Sequence, residues 1–474
     1  MTQDDRMELR EHRRRMRIWL LVGVLLLLLT GFAVFRLALH WWVYHGRLDA
    51  IRAAGEPATF EDIDEARLKL LPEQDAAVVA REAFSHYDSR NVYLHNLPID
   101  GIAILPDRTE SLPPEMKADM AVYLQDNAEA LRLLHRAAGM PHGRFFHRDE
   151  YQDFSSFRRG VKLLNMEGIL AAETGDPATA ASSFVDALRF GRHLRDEPFL
   201  ISFLVHTGCE FLTVPTIERA INHARFTDGQ LRMMGEALGD ADDPHALRHA
   251  ILTERCQVAD VVSRPVTELL EKDATHSERL WAFFYGLAGV QFVDAGYMLD
   301  YYDEMARLAD LSTHRRKAAA EALDAKGSKI PEYLILSRGR LPALGPLCDI
   351  DLRALAVVRA ARTGLAVQRY CLAHGRCPEK LGDLVPEFLD AVPDDPFDGY
   401  PLRYRIRGSG FVVYSVGEDL TDNAGREEDA RGKPFATATD IPFTVEFASA
   451  AAAIAPASGS EDDQSARPQP GAQP

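Results

Sequence analysis

The chain has 474 residues, about three times the usual length of one domain, so we expect two or three folded units. Hydrophobic residues make up 46% and charged residues 26% of the sequence, which argues against a largely disordered, collagen-like or polytopic membrane protein. The net charge of −17 predicts a surface that repels phosphate, and we expect no nucleic-acid partner. The five cysteines are too few for a disulfide scaffold, and none lies in a cluster with zinc-site spacing.

The most distinct signal is an uncharged run from Ile18 to Phe35, long enough to cross the hydrocarbon core of a bilayer as a helix. Trp41, Trp42 and Tyr44 follow it and suit the interface between membrane and water. Arginines are denser before the run than after it, so the positive-inside rule places the N-terminus in the cytoplasm. A cleaved signal peptide is the alternative, but the run is longer than its usual apolar region and no small-x-small cleavage site follows before Trp41.

These observations predict a single-pass protein of the bacterial inner membrane with most of the chain periplasmic or otherwise extracytoplasmic. The predicted fold class is mainly α, with an N-terminal transmembrane helix, an irregular helical-repeat or bundle domain and a small C-terminal α+β module. The predicted segments are a cytoplasmic tail (1–17), the anchor (18–44), a helical domain (45–326), a linker (327–348), the α+β module (349–447) and a disordered tail (448–474).

In the middle of the chain, apolar residues recur every three or four positions, which is typical of packed helices. Thr59 and Asp62 have the spacing of a capping box at a helix start. Further helices are predicted, with Gly, Pro or Asp between them, over Glu197–His223, Asp228–Leu238, Pro244–Leu270 and His276–Ala325.

The clearest helix pair runs from Val161 to Leu194, with a turn at Gly175 and Asp176 and Pro177 opening the second helix. Its Gly-Asp turn, Ala180 and the Ala187-Leu188 pair resemble a tetratricopeptide-type repeat. That resemblance implies a groove for a protein or peptide partner. Ordinary helix packing is the alternative, because no second copy of the repeat is in register.

An aromatic stripe follows in the region of Trp281 to Tyr297, including Phe283, Phe284 and Phe292. Such residues either form a ligand box or fill a core, and the large apolar area of aromatic side chains favours core filling.

The C-terminal module begins with a helix on which Ala354, Val358, Ala361, Leu365 and Leu372 form one apolar stripe. A predicted hairpin follows, in which Leu402, Tyr404 and Ile406 alternate with arginines. The turn Gly-Ser-Gly precedes a strand over residues 411–416, and residues 441–447 are suited to a third strand.

The order of motifs over residues 349–447 resembles the globular part of type II secretion major pseudopilins. The shared features are the helix end at Tyr370, His374-Gly375, Pro378, Leu381 to Leu384, Asp395-Pro396, Gly399, Tyr404 and the stretch from Tyr414-Ser415 to Asp419. The anchor lacks a prepilin-peptidase site and lies far from this module. The resemblance therefore implies a pseudopilin-like domain on a tethered protein rather than a polymerising subunit.

In pseudopilins the loop after the last hairpin strand binds calcium, so the resemblance implies calcium as a candidate cofactor. The candidate ligands are Asp419, Asp422, Asp429 and Ser415, whose oxygens suit this hard cation. A solvated acidic turn is the alternative, because Leu420 stands where the family usually has glycine and the spacing is not that of an EF-hand.

Two cysteines, Cys371 and Cys377, bracket the end of the module's helix and are a candidate disulfide in an oxidising compartment. Free thiols at both positions are the alternative. The remaining cysteines have the character of isolated core thiols.

No catalytic motif of a known kind occurs in the sequence. The densest polar cluster contains His142, His147, Asp149 and Glu150, and Glu167 could line a groove beside Glu173. Ordinary loop residues explain the polar cluster equally well, and exposed surface glutamates explain the second observation. We therefore predict a membrane-tethered binding or scaffolding protein, more consistent with no enzyme activity, linked to secretion or envelope assembly. The alternatives are an envelope hydrolase with a site assembled from distant helices and a divergent secretion-system subunit.

Overall fold

The computed structural model describes residues 3–67, 69–88, 96–145, 153–195, 197, 199–269, 274–327, 329–426 and 440–446. These residues are mainly helical and carry a small three-stranded antiparallel sheet, in agreement with the predicted fold class at this level. The predicted tail over 448–474 lies outside the described residues.

The helices, in chain order, are α1 (Gln3–Ala38), α2 (Gly46–Ala53), α3 (Phe60–Ala66), α4 (Ala76–Ser85), α5 (Pro114–Asp126), α6 (Ala128–Ala138), α7 (Phe154–Thr174), α8 (Pro177–Arg192), α9 (Leu200–His223), α10 (Asp228–Ala241), α11 (Ala246–Arg255), α12 (Gln257–Ser263), α13 (His276–Ala288), α14 (Val290–Ala309), α15 (Thr313–Gly327), α16 (Ile335–Arg340) and α17 (Leu344–His374). Short 3-10 turns lie at Pro72–Gln74, Val266–Glu268 and Leu381–Leu384. The strands are β1 (Arg403–Arg407), β2 (Gly410–Ser415) and β3 (Ile441–Val445).

The N-terminal helix α1 continues through a π-helical turn, Leu39–His45, into α2. The stretch from Arg14 to Ala53 is long and apolar enough to span a membrane, and its most apolar part is not buried by the rest of the protein. A signal sequence near an N-terminus meets the same criteria. Helix α9 also meets them, but most of its apolar part is buried, as in the core helix of a soluble domain.

The predicted helix pair is present as α7 and α8. Gly175 has a φ of 86°, which favours glycine, and it ends α7 in the left-handed conformation. The side chain of Asp176 then accepts the N–H of Thr179 at 3.1 Å, and Pro177 occupies the first turn of α8. Thr59 and Asp62 likewise form the predicted capping box of α3. Local cap and turn chemistry therefore determines these boundaries.

The longest predicted helices are divided in the structure. The stretch predicted as one helix from Pro244 to Leu270 contains α11 and α12, and the stretch from His276 to Ala325 contains α13, α14 and α15. Gly289, with a φ of 75°, separates α13 from α14 because it turns the backbone into the left-handed region.

Two large hydrophobic clusters hold the described residues together. The first joins α4–α10 to α17 and the sheet. The second joins the π-helical turn and α2 to α11–α16 and the first turn of α17. Helix α17 contributes to both, so it is the element that connects the two halves of the core.

Residues 327–348, predicted to be a linker, form helices that pack into the core instead. This segment contains α16 and the start of α17, and it includes the buried side chains of Leu334, Leu336, Leu344 and Cys348. The reason is that Leu336, Leu344 and Cys348 complete the second cluster, a contribution that their Gly- and Pro-rich neighbours conceal in the sequence.

The predicted hairpin and third strand form the sheet in the order β1, β2, β3. Val413 of β2 pairs with Tyr404 of β1 and with Phe443 of β3. Phe443 packs against α17 where Gly364 has no side chain, since a Cβ there would lie 2.8 Å from Cε1 of Phe443 and closer still to Cδ1. Ile406 of the predicted apolar face is instead 60% exposed, because β1 is the edge strand and α17 packs mainly on β2 and β3.

The aromatic stripe does not fill the core as expected. Phe292 and Tyr285 are buried, but Trp281, Phe283 and Phe284 of α13 are about half exposed. Helix α13 lies at the edge of the second cluster, where its neighbours cover one face only.

Cys371 and Cys377 are paired as a disulfide in the structure, with their Cα atoms 4.5 Å apart. Because the bridge closes a short loop, we expect the double variant Cys371→Ser/Cys377→Ser to lower the free energy of unfolding by about 2 kcal/mol. Urea denaturation of both proteins under oxidising conditions measures this difference. Reductant should destabilise the wild type and leave the double variant unchanged; equal stability of the two oxidised proteins would contradict the prediction.

Candidate binding cleft

A cleft of about 290 Å³ opens between the residue after α3, the loop after α6 and the C-terminal end of α8. We call it the cationic cleft, and it is lined by Arg67, Leu70, Pro141, His142, Gly143, Arg144, Arg192 and His193. This volume lies at the lower end of the range for small-molecule sites.

The loop that forms one wall of the cleft is held by two buried carboxylates. Asp75 caps α4 and accepts the N–H groups of Ala77 at 2.9 Å and of Arg144 at 2.8 Å. Glu197, which is almost completely buried, accepts the N–H of Phe145 at 2.7 Å. The backbone N–H of Ala76 also donates to the carbonyl of His142 at 2.9 Å. The wall is therefore anchored to the core.

Gly143 lets this loop lie close to its neighbours. A Cβ at this position would lie 3.1 Å from the Cβ of Ala76 and 3.3 Å from Nδ1 of His193. A larger residue would push the loop away from α4 and change the shape of the cleft.

Each arginine of the cleft has a carboxylate partner outside the described lining. Arg67 pairs with Glu197 at 2.6 Å, Arg192 with Asp240 at 2.8 Å, and Arg144 with Asp64. These pairs orient the guanidinium groups, which have five N–H donors each. The Nε–H of Arg144 is buried and has no hydrogen-bond partner among the described residues.

The charge of the lining distinguishes this cleft from two others of similar size. The groove between α10 and α17 is lined by three arginines and three carboxylates. A cleft beside α2 and α14 likewise combines four arginines with three carboxylates. The described lining of the cationic cleft contains arginines and histidines and no acidic residue. In a chain of net charge −17, this lining is locally basic.

The predicted polar cluster near residue 142 contributes only His142 to this cleft, because His147, Asp149 and Glu150 lie outside the described residues. The arginines were not singled out in the sequence. They come from three distant segments, and only the dipeptide Gly143-Arg144 beside His142 is a local signal.

A second polar cluster joins α6, α7 and α8. Nδ1 of His135 lies 2.7 Å from a carboxylate oxygen of Asp186, and Nε2 lies 2.8 Å from one of Glu167. The hydroxyl of Ser183 donates to the same Glu167 oxygen at 2.6 Å. Burial acts to lower the pKa of His135, but the hydrogen bonds to the two carboxylates outweigh it and raise the pKa to about 9.

This arrangement has the chemistry of an ion-pair cluster. The imidazole is protonated at neutral pH and donates from both nitrogens, so it is not available as a general base there. Glu167 thus contacts His135 and Ser183.

Glu173 is not the exposed surface residue that the sequence suggested, since its side chain is buried and pairs with Arg219 at 2.9 Å and with Lys117 at 3.0 Å.

The candidate calcium ligands have separate partners in the structure. Ser415 is buried and donates to Asp395 at 2.8 Å, whereas Asp422 accepts the hydroxyl of Tyr414 and the N–H of Ala424, both at 2.8 Å. Asp419 accepts the N–H of Thr421 at 2.9 Å.

Asp429 lies outside the described residues. Within the part of the chain that the structure describes, no group of three or more His, Cys, Asp or Glu residues is placed to hold a metal ion. Calcium binding stays a prediction.

Comparison of the chain with models of protein families, with curated proteins and with solved structures finds no match.

Proposed function

We propose that this chain is a membrane-tethered binding or scaffolding protein whose helical body holds a small anionic ligand in the cationic cleft. The observation that carries the proposal is the lining of the cleft, with three arginines and no acidic residue in its described part. A carboxylate or phosphate group matches the planar donor geometry of a guanidinium, and charge-assisted hydrogen bonds of this kind are strong.

Arg144 is the residue on which ligand binding is proposed to depend most. Its guanidinium pairs with Asp64, and its Nε–H is buried without a partner among the described residues. Arg144 lines the cleft, and the N–H donors at the end of its guanidinium suit an anion there. The fixed backbone at Arg144 N means that the site is largely formed before the ligand arrives.

The proposed location is the bacterial inner membrane, with the N-terminus in the cytoplasm and the helical body in the periplasm. The apolar run of α1 and the arginines that precede this run within the helix support this orientation. An oxidising periplasm is also compatible with the Cys371–Cys377 bridge. The pseudopilin-like order of motifs supports a protein or peptide partner in secretion or envelope assembly.

Calorimetric titration of the full chain in detergent with inorganic phosphate and with citrate tests the cleft. We expect at least one of the two anions to bind, and Arg144→Gln to weaken that binding by about tenfold or more through loss of charge-assisted hydrogen bonds. Arg144→Lys keeps the charge but lacks the planar donor fork, so its affinity should be intermediate. Binding of phosphate alone would indicate a tetrahedral ligand group, and binding of citrate alone a carboxylate.

Arg132→Gln is the matched control, since Arg132 is an exposed arginine of α6 that pairs with Glu129 on the protein surface. It should bind the anion as the wild type does. The proposal is wrong if neither anion binds the wild type, or if Arg144→Gln binds as tightly as Arg132→Gln.

A further inference from the structure

Helix α13 presents a continuous apolar face to solvent. Leu280, Phe283, Phe284 and Leu287 follow the spacing i, i+3, i+4, i+7 and therefore lie on one side of the helix. They are between 41% and 58% exposed, and Trp281 beside them is 47% exposed. A cluster of five large exposed apolar side chains on one helix is unusual for a surface in contact with water.

The opposite side of α13 is firmly attached to the body. Ala282 and Tyr285 are buried, and the Tyr285 hydroxyl donates to the carboxylate of Asp294 in α14. Asp294 also accepts the N–H groups of Leu336 at 2.8 Å and Ser337 at 3.0 Å. The exposed face is therefore held in a defined orientation.

The C-terminal end of α13 lies against the end of the apolar α1. A Cβ at Gly289, directly after α13, would lie 3.1 Å from Cγ of Arg36 and 3.6 Å from Cδ1 of Leu39. The rings of His40 and Phe292 are 4.6 Å apart. The exposed apolar face is thus next to the C-terminal end of the apolar run of the candidate membrane span.

This junction is fixed by close packing and by an ion pair. Gly296 of α14 lets the π-helical turn approach, because a Cβ there would lie only 3.2 Å from Cγ1 of Val43. Arg47 then pairs with Asp300 at 2.8 Å. The position of α13 relative to the end of α1 follows from these contacts.

The cleft between the end of α1 and α13 carries positive charge. Its volume is about 360 Å³, and its described lining contains Arg36 and Arg264 together with uncharged residues and no acidic one. Arginines at the level of a helix end beside the hydrocarbon region are suited to lipid phosphate groups.

We propose that α13 lies in the lipid–water interface of the periplasmic leaflet and is a second membrane contact of the protein. Its apolar face enters the boundary of the acyl chains, while Arg36 and Arg264 contact lipid phosphates. Helices with such a face lie in the plane of a bilayer with their apolar side buried below the headgroups. The inference rests on the membrane tether of the proposed function, and its consequence is that the helical body is held in one orientation against the membrane.

Quenching of tryptophan fluorescence by brominated lipids tests the proposal on the full chain. The chain has four tryptophans, so Trp19→Phe, Trp41→Phe and Trp42→Phe together leave Trp281 as the single reporter. The protein is reconstituted into phosphatidylcholine and phosphatidylglycerol vesicles whose acyl chains are brominated near the headgroup or near the methyl end. We expect strong quenching of Trp281 by the shallow bromines and weaker quenching by the deep ones.

A second variant tests the apolar face itself. In the Trp281 background, Phe283→Ser and Phe284→Ser should remove most of the quenching by lipid, since both side chains belong to the exposed apolar face. Ile102→Ser and Ile104→Ser are the matched control, because these isoleucines are exposed far along the chain from α13. Circular dichroism checks that all variants are folded.

A variant that retains only Trp19, within α1, as its tryptophan tests the membrane anchor independently of the contact through α13. Quenching of Trp19 without quenching of Trp281 overturns the inference and leaves the tether in place. Quenching of neither overturns both. Shielding of Trp281 from aqueous acrylamide without quenching by lipid shows that a protein covers α13, which also overturns the inference.

Discussion

The wild-type protein is expected to lose about 3 kcal/mol of unfolding free energy through His135 as the pH rises from 6.5 to 9. The pKa of His135 is raised in the folded state, so its contribution is fully present below 6.5, the ordinary value, and is lost as the pH passes about 9. The carboxylates of Asp186 and Glu167 are the source of this stabilisation, since they hold the protonated imidazole between α6, α7 and α8.

His135→Gln removes the titrating group and should therefore remove this part of the pH dependence. Urea denaturation at a series of pH values is the measurement, and the gap between the two proteins should be widest near pH 6.5 and close towards pH 9. His314→Gln, at an exposed histidine of α15, is the control and should follow the wild type. A constant gap between His135→Gln and the wild type would show that the cluster does not hold a protonated histidine.

Arg316→Met is expected to destabilise the protein by about 3–5 kcal/mol, because it leaves the buried carboxylate of Asp351 without its partner. Both side chains are almost fully buried and lie 2.8 Å apart. Arg316 also donates to the carbonyl groups of Leu311 at 3.0 Å and Pro244 at 2.7 Å. It thus ties α15 to α17 and to the segment before α11.

Replacing both partners separates the loss of the ion pair from the penalty of an isolated buried charge. Arg316→Met with Asp351→Leu should recover much of the stability lost in the single variant, because no buried charge remains. Arg132→Met removes an exposed ion pair with Glu129 and should cost far less than Arg316→Met. Urea denaturation compares these proteins; a cost for Arg316→Met no larger than that for Arg132→Met would contradict the prediction.

The elements that the sequence predicted well depend on near neighbours. Gly175, Asp176 and Pro177 form a turn and a cap within three positions, and the predicted hairpin needs only an alternating pattern around a Gly-Ser-Gly turn. The cysteines of the bridge are also close in sequence, so their proximity follows from the end of a single helix. In each case, the interacting groups are joined by a short stretch of chain.

The cationic cleft could not be predicted in this way. Arg67, Arg144 and Arg192 belong to segments whose arrangement depends on how α4, α6 and α8 pack, and an arginine on its own indicates only a charged surface. The same holds for His135, whose partners on α7 and α8 are determined by the packing of three helices.

The amino-acid sequence by itself determined the apolar N-terminal helix, the mainly helical class, the helix caps and the β1–β2 hairpin, because these follow from local periodicity and turn chemistry. Only the tertiary structure decided what covers each apolar face. Periodicity shows that a helix has such a face, but burial depends on the neighbours that fold against it. For this reason α17, predicted to begin a separate module, is a central helix of the core, whereas Trp281, Phe283 and Phe284 of α13, expected in the core, lie on the surface beside the end of α1.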